Sequence, residues 1–120
     1  MASILVVDDE PEILQFVGGG LEDEGFDVMA TVDGQRAVEL AASSRPDLVI
    51  LDMRGPHLDG DAVAGELRRL YAEIPILVIT ADGMAEEKAR RVAAFDFLPK
   101  PFDLDRLLGI VQRRLASSSI

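Results

Sequence analysis

The chain is 120 residues long, and 22 acidic against 12 basic side chains give it a formal net charge of −10. This charge disfavours direct nucleic-acid binding, which needs a basic patch for the phosphates. With no cysteine and one histidine, His57, the chain cannot form disulfides or thiolate metal sites, and a Ser-His-Asp hydrolase or multi-histidine zinc site is disfavoured.

No apolar run approaches the ~20 residues of a membrane span, and the start of the chain lacks a signal-peptide pattern. We therefore expect a cytoplasmic protein without membrane contact. The length suits a single domain covering residues 1–120.

The chain begins with an aliphatic run followed by an amphipathic pattern. Ile4 to Val7 predicts a buried strand that ends on acidic residues. Pro11 is favoured in the first turn of a helix, and apolar spacing extends that helix through Gly18-Gly19-Gly20. Three glycines weaken a helix, so we expect its second half to be the least stable part. Gly25 is suited to end it.

The next segment contains the most hydrophobic run of the chain. Phe26 to Val32 is partly polar, which is typical of an edge strand. Small and apolar residues between Asp33 and Pro46 predict a short second helix. Leu48 to Leu51 are four consecutive aliphatic residues, which predict a strand buried on both faces. This central strand ends on Asp52.

The second half of the chain repeats the alternation of strands and helices. Its strands are Ile76 to Ile79, which Thr80 follows, and Phe95 to Leu98, which Lys100 follows two residues later. Helices are predicted after Asp59-Gly60, from Met84 to about Ala93, and after the N-cap Asp103, before a frayed tail at 117–120.

This β-α alternation occurs five times, and it predicts an α/β fold with a parallel sheet covered by helices on both faces. Right-handed crossovers restrict its topology. The strands that end on acids should be central neighbours, which gives a doubly wound, flavodoxin-like three-layer sandwich with strand order 2-1-3-4-5.

That strand order brings Asp8, Asp9 and Asp52 to one edge of the sheet. Two carboxylates ~4 Å apart repel by about 4 kcal/mol at an effective dielectric constant near 20. Either one of them takes up a proton or a divalent cation binds, and ligation by oxygen alone favours Mg²⁺ or Mn²⁺.

Thr80 and Lys100 follow neighbouring strands at the same edge. A carboxylate beside a cation, a hydroxyl and an ammonium group can hold a phosphoryl group. The carboxylate attacks phosphorus, while the other groups bind the equatorial oxygens. Each residue alone has an ordinary structural explanation, but their common location favours phosphoryl chemistry.

These residues form a motif set that resembles the receiver domain of two-component response regulators over essentially the whole chain. The motifs are Asp8-Asp9, Asp52 with Pro56 and Asp59-Gly60, Thr80-Ala81, and Lys100-Pro101-Phe102.

The resemblance implies a role for each site residue. Asp52 is the phosphoacceptor, and Asp9 and Asp52 ligate Mg²⁺ together with the main-chain carbonyl of Arg54, while Asp8 acts largely through water. Lys100 pairs with Asp52 and then with the phosphoryl group. The implied switch residues are Thr80 and Phe97.

The resemblance also implies partners. A histidine kinase, a phosphotransfer protein or a small phosphodonor supplies the phosphoryl group, and a downstream protein binds the face of the fourth helix, fifth strand and fifth helix. A phosphorylation-dependent dimer is left open. The implied catalysis is limited to phosphorylation and dephosphorylation of the chain itself, so an independent enzyme is not expected.

Several positions differ from the usual pattern of the family. Gly55 replaces a bulkier residue, and Ala93-Ala94 stands where Gly-Ala is frequent. Arg54 and Asp82 lie at positions that tune phosphoryl lifetime, and Arg54 could shield the acyl phosphate or pair with Asp82.

Three other classes of protein compete with this interpretation. An aspartyl-phosphate phosphatase needs an acid two residues after the nucleophile, where this chain has Arg54. A flavin protein of the flavodoxin kind needs a phosphate loop where Asp8-Asp9-Glu10 would repel phosphate. A phosphate-independent interaction module on the receiver fold remains an alternative.

Overall fold

A computed structural model describes residues 1–55 and 58–117, and its elements alternate as the sequence predicts. In chain order they are β1 (Ser3–Val7), α1 (Pro11–Asp23), β2 (Asp27–Thr31), α2 (Gly34–Ser43), β3 (Leu48–Asp52), β4 (Arg54–Gly55), β5 (Leu58–Asp59), α3 (Gly60–Leu70), β6 (Ile76–Thr80), α4 (Ala85–Arg91), β7 (Asp96–Pro99) and α5 (Leu104–Ser117).

Five parallel strands form the central sheet in the order β2-β1-β3-β6-β7. The fourth and fifth predicted strands are β6 and β7, so the predicted order 2-1-3-4-5 is confirmed. The register pairs Val7 with Leu51 and Asp52 with Ile79. The carboxyl ends of β1, β3 and β6 therefore lie side by side.

Alternate residues of the buried strands face two separate hydrophobic cores. Leu5 and Val7 pack with residues of α2, α3 and α4 on one face of the sheet. Ile4 and Val6 pack with residues of α1 and α5 on the other face. This arrangement is the predicted three-layer sandwich.

Helix α1 continues through its three central glycines, as predicted. It ends at Asp23 with Glu24 as its C-cap, and Gly25 follows with a φ of 92°, the left-handed conformation that glycine adopts without strain. The next amide, Phe26 N–H, donates to the Leu21 carbonyl at 3.1 Å and closes the helix end. A Cβ at Gly20 would lie 2.7 Å from the Leu104 side chain, so this glycine permits close packing of α1 against α5.

Two local features differ from the sequence prediction. A short antiparallel hairpin, β4–β5, follows the central strand and pairs Arg54 with Asp59. Helix α4 spans Ala85–Arg91 and is shorter than the predicted Met84 to Ala93. Pro56, His57 and the end of the serine tail lie outside the described residues. Within those residues, no helix combines the length and apolarity that crossing a membrane requires.

Candidate functional site

Two buried aspartates meet at the carboxyl edge of the sheet. Asp52 is the last residue of β3, its side chain is 1% exposed, and its Oδ1 accepts a hydrogen bond from Arg54 N–H at 3.2 Å. Asp8 directly follows β1 and is fully buried, and its Oδ1 accepts the Glu10 amide at 2.9 Å. The predicted convergence of these acids is confirmed by their positions.

Four carboxylates form a group that fits a divalent cation. Asp8, Asp9, Glu10 and Asp52 each offer an oxygen atom, and these oxygens lie within 4.8 Å of one another. Asp9 Oδ2 is buried and accepts no hydrogen bond from residues 1–55 or 58–117. Such an oxygen is expected to have a partner, and an all-oxygen ligand set suits a hard cation. The residues present therefore fit Mg²⁺.

Lys100 is the one ammonium group at this site among the described residues. Its Nζ lies 2.8 Å from Glu10 Oε1 and 3.4 Å from Asp52 Oδ2. Asp8 Oδ2 is also 2.8 Å away, in an ion pair without hydrogen-bond alignment. The Lys100 amide donates to the Thr80 carbonyl at 2.9 Å, which fixes the start of the segment after β7 next to the end of β6. The predicted association of Lys100 with Asp52 is thus present, with Glu10 as an additional partner.

Burial and neighbouring charges shift the pKa values of Asp52 and Lys100. Burial, followed by the charge of Asp8, raises the pKa of Asp52 from 3.8 to about 6, against the opposing effects of Arg54 N–H and Lys100. Burial alone would lower the pKa of Lys100. Close contact with the carboxylates of Asp8, Glu10 and Asp52 outweighs burial and raises that pKa above its ordinary value. Lys100 is therefore charged at every physiological pH.

The two predicted switch residues lie on neighbouring strands. Thr80 ends β6, is fully buried, and its hydroxyl has no hydrogen-bond partner in the described part of the chain. Phe97 pairs with Val78 across β6 and β7 and packs, half-buried, against the core under α2, α3 and α4. Thr80 lies one residue beyond Ile79, the strand partner of Asp52, so its buried hydroxyl is at the same sheet edge as the acids and is available to a ligand such as a phosphoryl oxygen.

Asp82 has a partner other than the one proposed from the sequence. It forms an ion pair with Lys88 of α4, and its Oδ1 accepts the Met84 amide at 3.0 Å. The hydrogen bond from Lys88 is the main reason why the pKa of Asp82 is lowered. Arg54 is exposed and forms no ion pair within the described ranges, so pairing of Arg54 with Asp82 is not observed.

Gly55 lies directly against the carboxylate of Asp9. A Cβ at this position would overlap the Asp9 carboxyl group, with Oδ1 only 2.7 Å away. A glycine at this position therefore allows the backbone of β4 to lie directly against the Asp9 carboxylate.

Two adjoining clefts open beside these residues. The first, of about 460 Å³, exposes the acid cluster and is lined by Asp9, Glu10, Arg54, Gly55, Ala81 and Lys100. The second, of about 520 Å³, is mainly apolar and is lined by Glu10, Ile13, Phe16, Ala81, Lys100, Pro101 and Phe102. Three residues, Glu10, Ala81 and Lys100, line both clefts. The contact between Glu10 and Lys100 therefore separates the acid cluster from an apolar surface.

Sequence reasoning identified the acids, the threonine and the lysine but gave no role to Glu10. The one sequence feature that could have indicated a role for Glu10 is its place in the acidic run after β1. Its pairing with Lys100, 90 residues away, depends on side-chain geometry that spacing does not encode.

Comparison with known proteins gives a consistent result. A family model for the response regulator receiver domain matches residues 4–112. The DNA-binding dual master transcriptional regulator RpaA of Synechocystis sp. is 40% identical over 119 residues, which cover 96% of this chain and 49% of that protein. Response regulator MprA of Mycolicibacterium vanbaalenii is 45% identical over 108 residues, covering 88% and 47%. The chain spans about half the length of these curated relatives.

Two solved structures have the same fold as this chain and match nearly all of it. The Vibrio cholerae chemotaxis protein CheY4 is 35% identical with a TM-score of 0.86, and the match covers 94% of this chain and 98% of that one. The receiver domain of NtrX from Brucella abortus is 38% identical with a TM-score of 0.85 and the same coverage. With the site geometry described above, these matches show that the chain belongs to the receiver domain family of two-component response regulators.

Proposed function

We propose that this receiver domain is switched by phosphorylation of Asp52. The observation that supports this choice is the position of Asp52 at the end of the central strand, 3.4 Å from an ammonium group, with the buried Thr80 hydroxyl at the end of the neighbouring strand. A pKa of about 6 leaves the carboxylate largely ionised at pH 7 to 8, as a nucleophile requires.

In the proposed reaction, a carboxylate oxygen of Asp52 attacks phosphorus and forms a P–O bond. The bond from phosphorus to the donor breaks, and its electron pair leaves with the imidazole of a phosphohistidine or with acetate from acetyl phosphate. Lys100 and Thr80 donate hydrogen bonds to the phosphoryl oxygens. In the reverse modification, water attacks phosphorus, the P–O bond to Asp52 breaks, and inorganic phosphate and the free carboxylate are released. The proposed catalysis is limited to this phosphorylation and dephosphorylation of the chain itself.

The acid cluster would hold Mg²⁺, or Mn²⁺, during this reaction. Asp9, Asp52 and the main-chain carbonyl of Arg54 are the proposed direct ligands, with Asp8 acting largely through water. A bound cation would offset the negative charge that the acids and the phosphoryl group bring together.

The proposed partners follow from membership of the family. A sensor histidine kinase or a phosphotransfer protein supplies the phosphoryl group. Thr80 and Phe97 then change position together and alter the face of α4, β7 and α5, to which a downstream protein binds. Phosphorylation-dependent dimerisation through this face is compatible with the proposal.

Intact-mass spectrometry after incubation with acetyl phosphate and Mg²⁺ tests the proposal. We expect the mass of one phosphoryl group to be added to the wild-type chain, and we expect no addition to Asp52→Asn or in the presence of EDTA. Glu39→Gln, a change on the distant helix α2, serves as a matched control and should be labelled like the wild type. Equal labelling of Asp52→Asn would place the acceptor elsewhere, and a wild-type chain that stays unlabelled would favour a phosphate-independent interaction module.

A further inference from the structure

Lys100 has more carboxylate partners than its proposed function requires. Its ammonium group has three N–H donors, and three carboxylates surround it, from Asp8, Glu10 and Asp52. The distances to Glu10 and to Asp8 are both 2.8 Å, whereas the distance to Asp52, the proposed acceptor, is 3.4 Å. Lys100 is therefore held closer to Glu10 than to the group that it would serve.

The backbone fixes Glu10 in this position. Its amide donates to Asp8 Oδ1, and its carbonyl accepts the amides of Ile13 and Leu14 in the first turn of α1. The Glu10 side chain is 52% exposed, in contrast to Asp8 and Asp52, which are buried. If the contact between Glu10 and Lys100 breaks, water can solvate the half-exposed Glu10 carboxylate. Breaking the contact with Asp8 or Asp52 would instead leave a buried carboxylate unpaired.

We propose that Glu10 is a positioning residue that draws Lys100 away from Asp52 and thereby slows phosphorylation. This inference rests on the proposed function. When a phosphoryl group is attached to Asp52, Lys100 must direct an N–H donor towards a phosphoryl oxygen, and the Glu10 contact competes for that ammonium group. Glu10 also lines the apolar cleft with Phe16 and Phe102, so a protein bound in that cleft would contact the residue that restrains Lys100.

The test uses Glu10→Gln, which keeps the side-chain length and removes the charge. Glu12→Gln is the matched control because Glu12 lies in the same first turn of α1 and is not one of the carboxylates around Lys100. Both variants change the net charge of the chain equally. A general effect of charge on an anionic phosphodonor would therefore affect both.

The first measurement is side-chain NMR of a lysine-labelled chain, which has only two lysines, Lys88 and Lys100. We expect Glu10→Gln to shift the Lys100 ammonium signal and leave the Lys88 signal unchanged, and Glu12→Gln to shift neither. An unchanged Lys100 signal in Glu10→Gln would show that the contact does not restrain Lys100 and would overturn the inference.

The second measurement is the rate of labelling by acetyl phosphate at saturating Mg²⁺. We expect Glu10→Gln to be labelled roughly twofold to fivefold faster than wild type, the range for one half-exposed ion pair, and Glu12→Gln at the wild-type rate. A slower or equal rate in Glu10→Gln, or an equal increase in both variants, would overturn the role of Glu10. A wild-type chain that is not labelled at all would instead contradict the proposed function.

Discussion

Arg68 Nη2 donates a hydrogen bond to the carbonyl oxygen of Ala93 at 2.8 Å, which joins helix α3 to the turn after α4. The same guanidinium group reaches the Val92 carbonyl at 3.3 Å and the carbonyls of Ala72 and Ile74. Arg68 thus satisfies carbonyl groups that two chain segments leave free. Ala93 has a φ of 56°, so an alanine occupies the left-handed position at the end of α4.

Replacement of Ala93 by glycine is expected to stabilise the domain. The left-handed conformation costs an alanine about 1–2 kcal/mol, and the greater freedom of glycine in the unfolded chain offsets about 0.4–1 kcal/mol of the gain. We expect Ala93→Gly to raise the free energy of unfolding by about 0.5–1 kcal/mol, measured by urea denaturation. Ala94→Gly, at a residue without positive φ, should lower it. A loss of stability in Ala93→Gly would contradict this explanation.

The glycines of α1 provide a second test of stability. A Cβ at Gly19 would meet no atom within 4 Å, so Gly19→Ala should stabilise the helix by about 1 kcal/mol. Gly20→Ala is the contrast, because its Cβ would lie 2.7 Å from Leu104 and force that side chain to move. Thermal denaturation of both variants should give a higher midpoint for Gly19→Ala than for Gly20→Ala. The reverse order would show that the close packing of α1 on α5 does not limit substitution.

The ion pair between Lys88 and Asp82 is expected to hold the loop that follows Thr80. Lys88→Met removes the charge but keeps an unbranched side chain, so Asp82 loses its partner while the packing of α4 is largely kept. Both side chains are only 13–14% exposed, so loss of this pair should cost more than the roughly 1 kcal/mol of an exposed pair. Hydrogen exchange at the Met84 amide, which donates to Asp82, should therefore become about fivefold faster or more.

Arg90→Met is the matched control for this change, because its pair with Glu86 is exposed on both sides. Exchange at Met84 should stay at the wild-type rate in that variant. Equal exchange in Lys88→Met and wild type would mean that the Asp82 cap does not depend on Lys88.

The raised pKa of Asp52 predicts how stability depends on pH. A folded-state pKa of about 6 against an ordinary 3.8 means that the folded chain holds this proton more tightly than the unfolded chain. The stabilisation is fully present below pH 3.8 and is lost as the pH rises through about 6. It amounts to at most about 3 kcal/mol, from the 1.36 kcal/mol that each pKa unit represents.

Urea denaturation in EDTA at several pH values measures this effect. The free energy of unfolding of the wild type minus that of Asp52→Asn should fall by about 2–3 kcal/mol between pH 4 and pH 7, since the amide does not titrate. A difference that is constant over this range would contradict the raised pKa of Asp52.

Most of the fold could be predicted because hydrophobic runs in the sequence mark its buried strands. Runs such as Ile4–Val7 and Leu48–Leu51 are buried on both faces, and the acids that end them mark one edge of the sheet. That pattern depends on residue type and order alone. The strand order and the set of buried acids at the site were therefore available from the sequence.

The features that were missed depend on side-chain contacts between distant segments. The backbone of the β4–β5 hairpin lies against Asp9 at Gly55, and no hydrophobic pattern marks this hairpin in the sequence. Glu10 reaches Lys100, and Asp82 pairs with Lys88 instead of Arg54, because rotamers and loop paths decide which opposite charges meet. Spacing brings such groups to one region but does not select the partners.

The central claim is that the buried acids at the sheet edge are unfavourable together and are relieved by a divalent cation. Titration of the metal-free chain with Mg²⁺ in a calorimeter tests it most directly. We expect one Mg²⁺ to bind per chain, and we expect its affinity to fall by about tenfold or more in Asp9→Asn, which removes one charged ligand. Glu39→Gln should bind Mg²⁺ like the wild type. No measurable binding by the wild type, or equal binding by Asp9→Asn, would contradict the claim.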